Sequence, residues 1–229
     1  MRRVISTGEI TVESAAQNLQ DYFTEIMPRT GLVRSSSRFD SWAGGGDTPD
    51  VVNRFTANDL IAASFRSVKI PARTAIAVLE TRAGGISELL SQIPADLDLP
   101  DADPVRDLGP DSPARQLWNL LRGRGNSNGG GNWGVGPSTA SKILARKRPR
   151  LIPVYDSIIR RVTALPGPEE QWQYWHASFA DGVLVERLAE IRTLSGITEP
   201  ISTLRELDIV LSMHGKRQGF QPQEEDLEN

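Results

Sequence analysis

Residues 134–142 read GVGPSTASK and residues 154–162 read VYDSIIRRV, and these two stretches decide the fold. Gly134 and Gly136 flank Val135, and the sequence that follows has the apolar spacing of a helix. A glycine turn that leads into a helix exposes unpaired backbone N–H groups at the positive end of the helix dipole. We therefore expect this turn to bind a phosphate.

Cationic side chains cluster around the same two stretches. The whole chain has 26 Lys and Arg against 29 Asp and Glu, so it lacks the basic surplus of a general polyanion binder. Between residues 142 and 161, however, a single acid, Asp156, is accompanied by Lys142, Arg146, Lys147, Arg148, Arg150, Arg160 and Arg161. A basic run is more often a solvated surface, but beside a phosphate-binding turn it favours contacts with a nucleic-acid backbone.

The composition removes several kinds of chemistry. The 229 residues include no cysteine and only two histidines, which excludes disulfides, thiolate metal sites and cysteine nucleophiles and argues against a His-rich metal site. No apolar run approaches the roughly 20 residues that cross a bilayer, and the first residues lack an apolar signal segment. We expect a cytoplasmic protein with no membrane partner.

Most segments have the apolar spacing of helices, which predicts about nine or ten of them and an all-α fold. Thr11, Ser112 and Ser202 are predicted N-caps, and Thr56 with Asp59 predicts a capping box. Trp172, Trp175 and Phe179 recur at helical spacing and predict a buried face.

Glycines and polar runs mark the predicted breaks between helices. The pair Gly84-Gly85 and Gly215 are expected to end helices, and only LIPVY at residues 151–155 looks extended. Two polar, glycine-rich loops are expected at residues 34–50 and 122–132.

The chain is long enough to bury a core of its own. We expect one compact unit over residues 1–215, followed by a disordered acidic tail over residues 216–229.

Taken together, the two opening stretches resemble the helix-hairpin-helix DNA glycosylases. In that family a glycine hairpin leads into a helix, then an extended piece, then a segment whose Asp is followed by a hydrophobic residue and Arg-Val. Here residues 134–140 match the hairpin, and residues 154–162 match the second segment. This sequence departs from the family in the glycine-rich residues 122–132 before the hairpin and in the extra residue Tyr155.

The resemblance implies a two-lobed helical fold whose hairpin and catalytic loop lie at about residues 112–162. It makes Asp156 the catalytic residue. It also implies an enzyme that does not cut the strand, because Ser138 stands where strand-cutting members carry lysine. The implied DNA contacts are Gly134, Val135, Gly136, Ser138, Thr139, Lys142, Arg146, Lys147 and Arg160.

One carboxylate suits the implied chemistry. Breaking an N-glycosidic bond builds positive charge on the sugar, and a carboxylate held there stabilises the charge and activates water. The predicted activity is that of a monofunctional glycosylase, which flips a damaged or modified base out of double-stranded DNA and leaves an abasic site. We expect a monomer without a cofactor. Whether the hairpin binds a structural monovalent cation stays open.

Each of these assignments has a structural alternative. Asp156 can be a simple N-cap, in which case the chain is a non-catalytic helix-hairpin-helix DNA-binding module. A helical protein-interaction domain with a coincidental motif is a third reading. Trp42 in its glycine-rich loop either contacts an extruded base or packs back on the domain. Tyr155 and Ser138 are candidate substrate contacts beside Asp156. The base, the repair or antiviral setting and the part played by residues 34–110 stay open.

Overall fold

The computed structural model describes residues 10–124 and 135–222. These two ranges are mostly helical, which confirms the all-α class. Their ten α-helices and two strands are α1 Val12–Thr24, β1 Ile26–Met27, β2 Leu32–Val33, α2 Ala57–Ser64, α3 Ala72–Ile76, α4 Ala83–Ser91, α5 Pro113–Leu121, α6 Pro137–Lys147, α7 Ser157–Thr163, α8 Gln171–Ser178, α9 Val183–Ser195 and α10 Thr203–Arg217. No helix in these ranges combines the length and apolar character needed to cross a bilayer.

The predicted caps begin the helices they were assigned to. The side chains of Thr11, Ser112 and Ser202 accept hydrogen bonds from backbone N–H groups three residues on, at 3.2, 3.1 and 3.1 Å. The capping box is also confirmed, because the Thr56 N–H donates to the Asp59 carboxylate at 2.7 Å. Each such cap stabilises its helix by about 1 kcal/mol.

Gly84-Gly85 does not end a helix, contrary to the prediction. The chain winds into a π turn over residues 77–81, where the Arg82 N–H donates to the Ala77 carbonyl at 2.8 Å, and the pair then lies inside α4. Glycine within a helix costs about 1 kcal/mol relative to alanine. Burial of Ile86 and Leu90 on the same helix offsets that cost.

Gly215 is likewise not a helix end, because α10 continues to Arg217. A Cβ at Gly215 would stand 2.5 Å from a methyl carbon of Ile158 and 2.8 Å from one of Val162. The glycine is therefore needed for the close approach of α7 to α10. The predicted tail begins inside this helix, and residues 223–229 lie outside the described ranges.

Residues 151–155, which look extended in the sequence, do not form a strand. Within the described ranges the only strands are β1 and β2, an antiparallel hairpin in which Ile26 pairs with Val33 and Met27 with Leu32. Residues 152–155 run without regular structure between α6 and α7.

The helices pack into one continuous core. Helix α1 lies against α9 and α10, α10 against α7, α2 against α6, and α5 against both α4 and α6. Trp172 and Trp175 are fully buried and Phe179 is nearly so, as their spacing predicted. The core thus joins the N-terminal and C-terminal segments of the chain around α6 and α10.

The basic run at the C-terminal end of α6 is buried, which corrects the expectation of phosphate contacts from Arg146 and Lys147. We call Arg146, Lys147 and Arg148 the basic cluster; their exposed fractions are 2%, 0% and 1%. Arg146 donates to the carbonyls of Phe39 and Asp40 at 2.6 and 2.7 Å. The cluster holds the loop that precedes α2, because that loop offers carbonyl oxygens with no helix or sheet partner of their own.

A buried ion pair anchors this cluster. The Lys147 ammonium lies 2.7 Å from the Asp59 carboxylate and donates to the Gly46 and Val51 carbonyls at 2.8 and 3.1 Å. Arg146 lies 3.4 Å from the same carboxylate. Burial lowers the pKa of Lys147, and the bond to Asp59 opposes that shift.

Replacing Lys147 by methionine should destabilise the fold. The change removes a donor from the Gly46 and Val51 carbonyls, and it leaves the longer contact to Arg146 as the remaining ion pair of Asp59 among the described residues. Breaking one partner of a buried pair costs about 3 kcal/mol, which urea unfolding would measure. Lys69→Met, at an exposed position, is the matched control. An equal effect of the two substitutions would contradict the anchoring role.

Candidate active site

Asp156 caps a helix and also faces a cavity. It is the N-cap residue of α7, and its Oδ1 accepts a hydrogen bond from the Ile159 N–H at 2.9 Å. Its Oδ2 lies 3.9 Å from the Lys142 Nζ. The residue is 9% exposed and lies in the wall of a cavity of about 450 Å³. One oxygen is therefore fixed by the helix, while the other lies toward a cation.

The cavity forms where five parts of the chain meet. Its walls come from α1, the β1–β2 hairpin with the residues after it, the end of α2, the α6–α7 region and α10. Its apolar and aromatic wall is formed by Tyr22, Met27, Leu32, Val33, Phe65 and Ile158. Its charged lining is Arg29, Arg34, Arg66, Lys142, Lys216 and Asp156. Such a mixture of flat apolar surface and a few charged groups is typical of small-ligand sites.

Cations dominate the charge of this lining. Arg66 pairs with Asp208 at 2.9 Å, and Arg34 pairs with Glu25. Arg29 and Lys216 make no ion pair with any residue of the described ranges. Asp156 is the one carboxylate among the described residues of the wall, so the cavity as a whole attracts anions.

Lys216 has an altered protonation equilibrium. Although the residue is exposed overall, its side chain stands against the concave wall, and the partial loss of water there lowers the pKa of Lys216. Repulsion from Arg66 and Arg34 lowers this pKa further, while Asp156 and Asp208 oppose the shift. As pH rises, this lysine loses its charge earlier than an ordinary lysine.

A serine on α6 places Asp156 beside Lys142. The Ser141 Oγ accepts from the Tyr155 N–H at 2.9 Å and lies 2.8 Å from the Ser138 carbonyl, to which it donates. This contact ties the irregular segment before α7 to the middle of α6. Lys142, the next residue along α6, donates to the Ser138 Oγ at 3.0 Å. Helical spacing of four residues accounts for the Ser138–Lys142 contact.

The structure brings some predicted site residues together and separates others. Ser138 and Thr139 are buried on α6, and Lys142 joins Asp156 in the cavity. Val135 is buried and Gly136 is the half-buried N-cap residue of α6. Arg160 is half-buried on α7. Gly134 and residues 125–131 lie outside the described ranges. Part of the hairpin, where a monovalent cation was considered, therefore also lies outside them.

The two aromatic candidates do not line the cavity. Tyr155 is 7% exposed and packs into the protein interior, so its assignment to a base pocket is corrected. Trp42 packs edge-on against Phe65, with ring centroids 5.2 Å apart, and its Nε1 donates to Asn58 at 3.2 Å. Trp42 therefore packs on the domain, which was one of the two alternatives for it. The basic cluster holds the surrounding loop against α6.

Sequence reasoning missed several members of the cavity. Tyr22, Arg66 and Lys216 come from distant segments, and nothing in their local sequence points to a shared site. Ser141, which supports the site but does not line the cavity, was missed as well. The apolar spacing of the sequence already placed it on the same predicted helix as Ser138 and Lys142.

Fold and site together define a helical protein with a cationic cavity around one helix-capping carboxylate. A protein-family profile described as a family of unknown function, DUF6308, matches residues 15–215. The chain belongs to that family. No curated protein and no solved structure matches the chain. Asp156, Lys142 and the cavity lie almost wholly within the matched residues.

Ser141→Ala should loosen the segment that holds Asp156. The change removes the buried hydrogen bond that the Ser141 Oγ accepts from the Tyr155 N–H, which costs about 1 kcal/mol in the free energy of unfolding. Ser91→Ala is the matched control, because the Ser91 Oγ donates to the Glu88 carbonyl at 2.7 Å on an exposed helix surface. Urea unfolding would measure both variants, and equal losses would show that Ser141 is not a tether.

Proposed function

We propose that this protein is a monofunctional DNA glycosylase that flips one damaged or modified base out of double-stranded DNA and hydrolyses its N-glycosidic bond. The observation that supports this most is the placement of Asp156. Its carboxylate lines a cavity, with one oxygen fixed by the α7 N-terminus and the other 3.9 Å from Lys142. A carboxylate so held can stabilise a sugar cation without reorganising.

The proposed reaction uses Asp156 in two ways. As the C1′–N bond breaks, its electron pair leaves with the base, and the carboxylate stabilises the positive charge that develops on the sugar. The oxygen of a water molecule then bonds to C1′. Asp156 accepts a proton from that water and passes it to the departing base, which leaves an abasic site. Lys142 balances the negative charge of the carboxylate before substrate binds.

The cavity wall supports the nucleotide part of this proposal. Phe65 offers half-buried aromatic surface for a base, and Arg29 and Lys216 offer cations for the neighbouring phosphates. Stacking and backbone contacts of this kind are what offset the cost of extruding a nucleotide. The cavity lies where α1, α7 and α10 meet α2 and α6, an arrangement that suits the two-lobed helix-hairpin-helix fold we propose.

The DNA grip in this proposal differs from the one expected from sequence. Since the basic cluster holds a loop, the backbone contacts rest on the α6 N-terminus at Gly136 and on the cations of the cavity. We propose double-stranded DNA as the partner of a monomeric, cytoplasmic enzyme. Base excision repair and defence against phage DNA with modified bases are both compatible settings.

A non-catalytic DNA-binding module is the second candidate. The bond from the Ile159 N–H to the Asp156 Oδ1 favours it, because capping alone gives Asp156 a sufficient structural role. Under this alternative the cavity binds DNA and no abasic product forms.

Asp156→Asn separates the two candidates. Asparagine still accepts the cap bond from the Ile159 N–H, so the fold should stay intact while the charge is lost. Under the glycosylase proposal, single-turnover release of the base falls at least about 100-fold, while DNA affinity stays or rises because a negative charge near phosphates is gone. The assay scores alkali-labile abasic sites on damaged, mismatched and modified duplexes.

Three results contradict parts of the glycosylase proposal. No abasic product from the unchanged protein on any of these duplexes favours the binding module. Equal excision by Asp156→Asn removes Asp156 from the chemistry. A covalent adduct trapped by borohydride would show that Lys142 or another amine attacks the sugar, which the monofunctional assignment excludes.

Lys216→Gln should change the salt dependence of DNA binding. Each lost phosphate contact lowers the slope of log affinity against log salt by about 1. Arg82→Gln is the matched control, since Arg82 is exposed and lies outside the cavity. The difference between Lys216 and Gln should shrink as pH rises, because the pKa of Lys216 is lowered and its charge is lost early. Equal slopes for both variants would remove Lys216 from the interface.

A further inference from the structure

The β1–β2 hairpin presents an exposed apolar side chain in the wall of the cavity. Leu32 is 68% exposed and lies in the cavity wall. The remaining large exposed hydrophobic residues of the described ranges lie elsewhere: Ile26, Ile61, Ile76, Val105, Val183, Val185 and Leu194. A leucine this exposed gains little from the fold itself, because burial is what makes an apolar side chain stabilising.

The hairpin is held in place rather than hanging free. The N–H groups of Thr30 and Gly31 both donate to the Met27 carbonyl, at 3.1 and 2.9 Å, which closes the turn. Gly31 has a φ of +66°, a backbone conformation that side-chain-bearing residues rarely adopt.

Arg34 fixes the base of the hairpin to α1. It pairs with Glu25, and its guanidinium lies 5.8 Å from the centre of the Tyr22 ring. Leu32 thus stands on a short, braced projection whose position relative to Asp156 is set by α1 and the cavity wall.

The surroundings of Leu32 suit a polyanion with an apolar interior. Arg29 is exposed at the turn, and Arg34 and Lys216 line the same cavity. Duplex DNA has this combination, with phosphates outside and stacked bases within. Apolar side chains inserted between base steps stabilise a distorted duplex, and a nearby cation compensates the phosphates on either side.

We propose that Leu32 is the wedge that enters the DNA stack and fills the gap left by the extruded nucleotide, with Arg29 on the adjacent phosphate. This inference rests on the proposed glycosylase function and adds the element that keeps the base from returning. Leu32 is a positioning residue, since it acts on the duplex and does not touch the reacting atoms.

The test uses the full chain carrying Asp156→Asn, so that bound DNA is not consumed. The probe is a duplex with one stable abasic-site analogue opposite 2-aminopurine, whose fluorescence rises when the stack around it opens. With Leu32 present, we expect tighter binding to this duplex than to an intact one and a fluorescence rise. Leu32→Ala should lose about tenfold of that preference, and the fluorescence rise with it.

Two matched controls and one rescue accompany this variant. Ile26→Ala truncates an exposed residue of the same hairpin that is not in the cavity wall, and Leu194→Ala repeats the substitution on α9. Both should behave as the unchanged protein. Leu32→Met, which keeps the apolar volume, should restore the fluorescence rise. Because Leu32 is exposed, all variants should keep the unfolding temperature of the unchanged protein.

The outcomes separate the wedge from the glycosylase proposal. If Leu32→Ala matches Leu194→Ala while DNA binding persists, and the protein with Asp156 intact still excises the base, the wedge is overturned and the glycosylase proposal stands. If no variant binds any duplex, both are overturned. If Leu32→Ala instead dissolves a dimer seen by sedimentation without DNA, Leu32 serves a contact between copies and the wedge is overturned.

Discussion

The buried contact between Asp59 and Lys147 joins the N-terminal half of the chain to α6. Asp59 serves two elements at once, because it closes the capping box of α2 and neutralises the end of α6. With Arg146 beside it, the contact also organises the loop before α2, whose carbonyls find donors in the basic cluster. Removing one of these charges would leave the other desolvated, which is expected to destabilise the fold.

Helix α6 in turn determines the geometry of the candidate site. Its C-terminal end is occupied by the buried cluster, while its middle holds the segment before α7 through Ser141 and presents Lys142 to Asp156. The cavity is then completed by α1 and α10, which pack on each other. A change in how α6 sits would therefore displace the carboxylate, its cation and one wall together.

The cations of this protein fall into two groups that differ in their surroundings. Arg146 and Lys147 have their donors occupied by backbone oxygens inside the fold, whereas Arg29 and Lys216 stand at the cavity without an ion pair to the residues described. All four are arginine or lysine, so residue type alone does not distinguish them. A loop that needs hydrogen-bond donors lies opposite the two buried side chains, whereas solvent lies opposite the other two.

The sequence by itself determined the helical class and the N-caps at Thr11, Thr56, Ser112 and Ser202. It also determined that Asp156 is the N-cap residue of α7. These features depend on contacts within a few residues. Only the tertiary structure decided that the basic run is buried, that Tyr155 and Trp42 are not part of the cavity wall, and that Tyr22, Arg66 and Lys216 line the same cavity as Asp156. Those outcomes depend on segments far apart in the chain, and local spacing contains no record of which distant surface a side chain will meet.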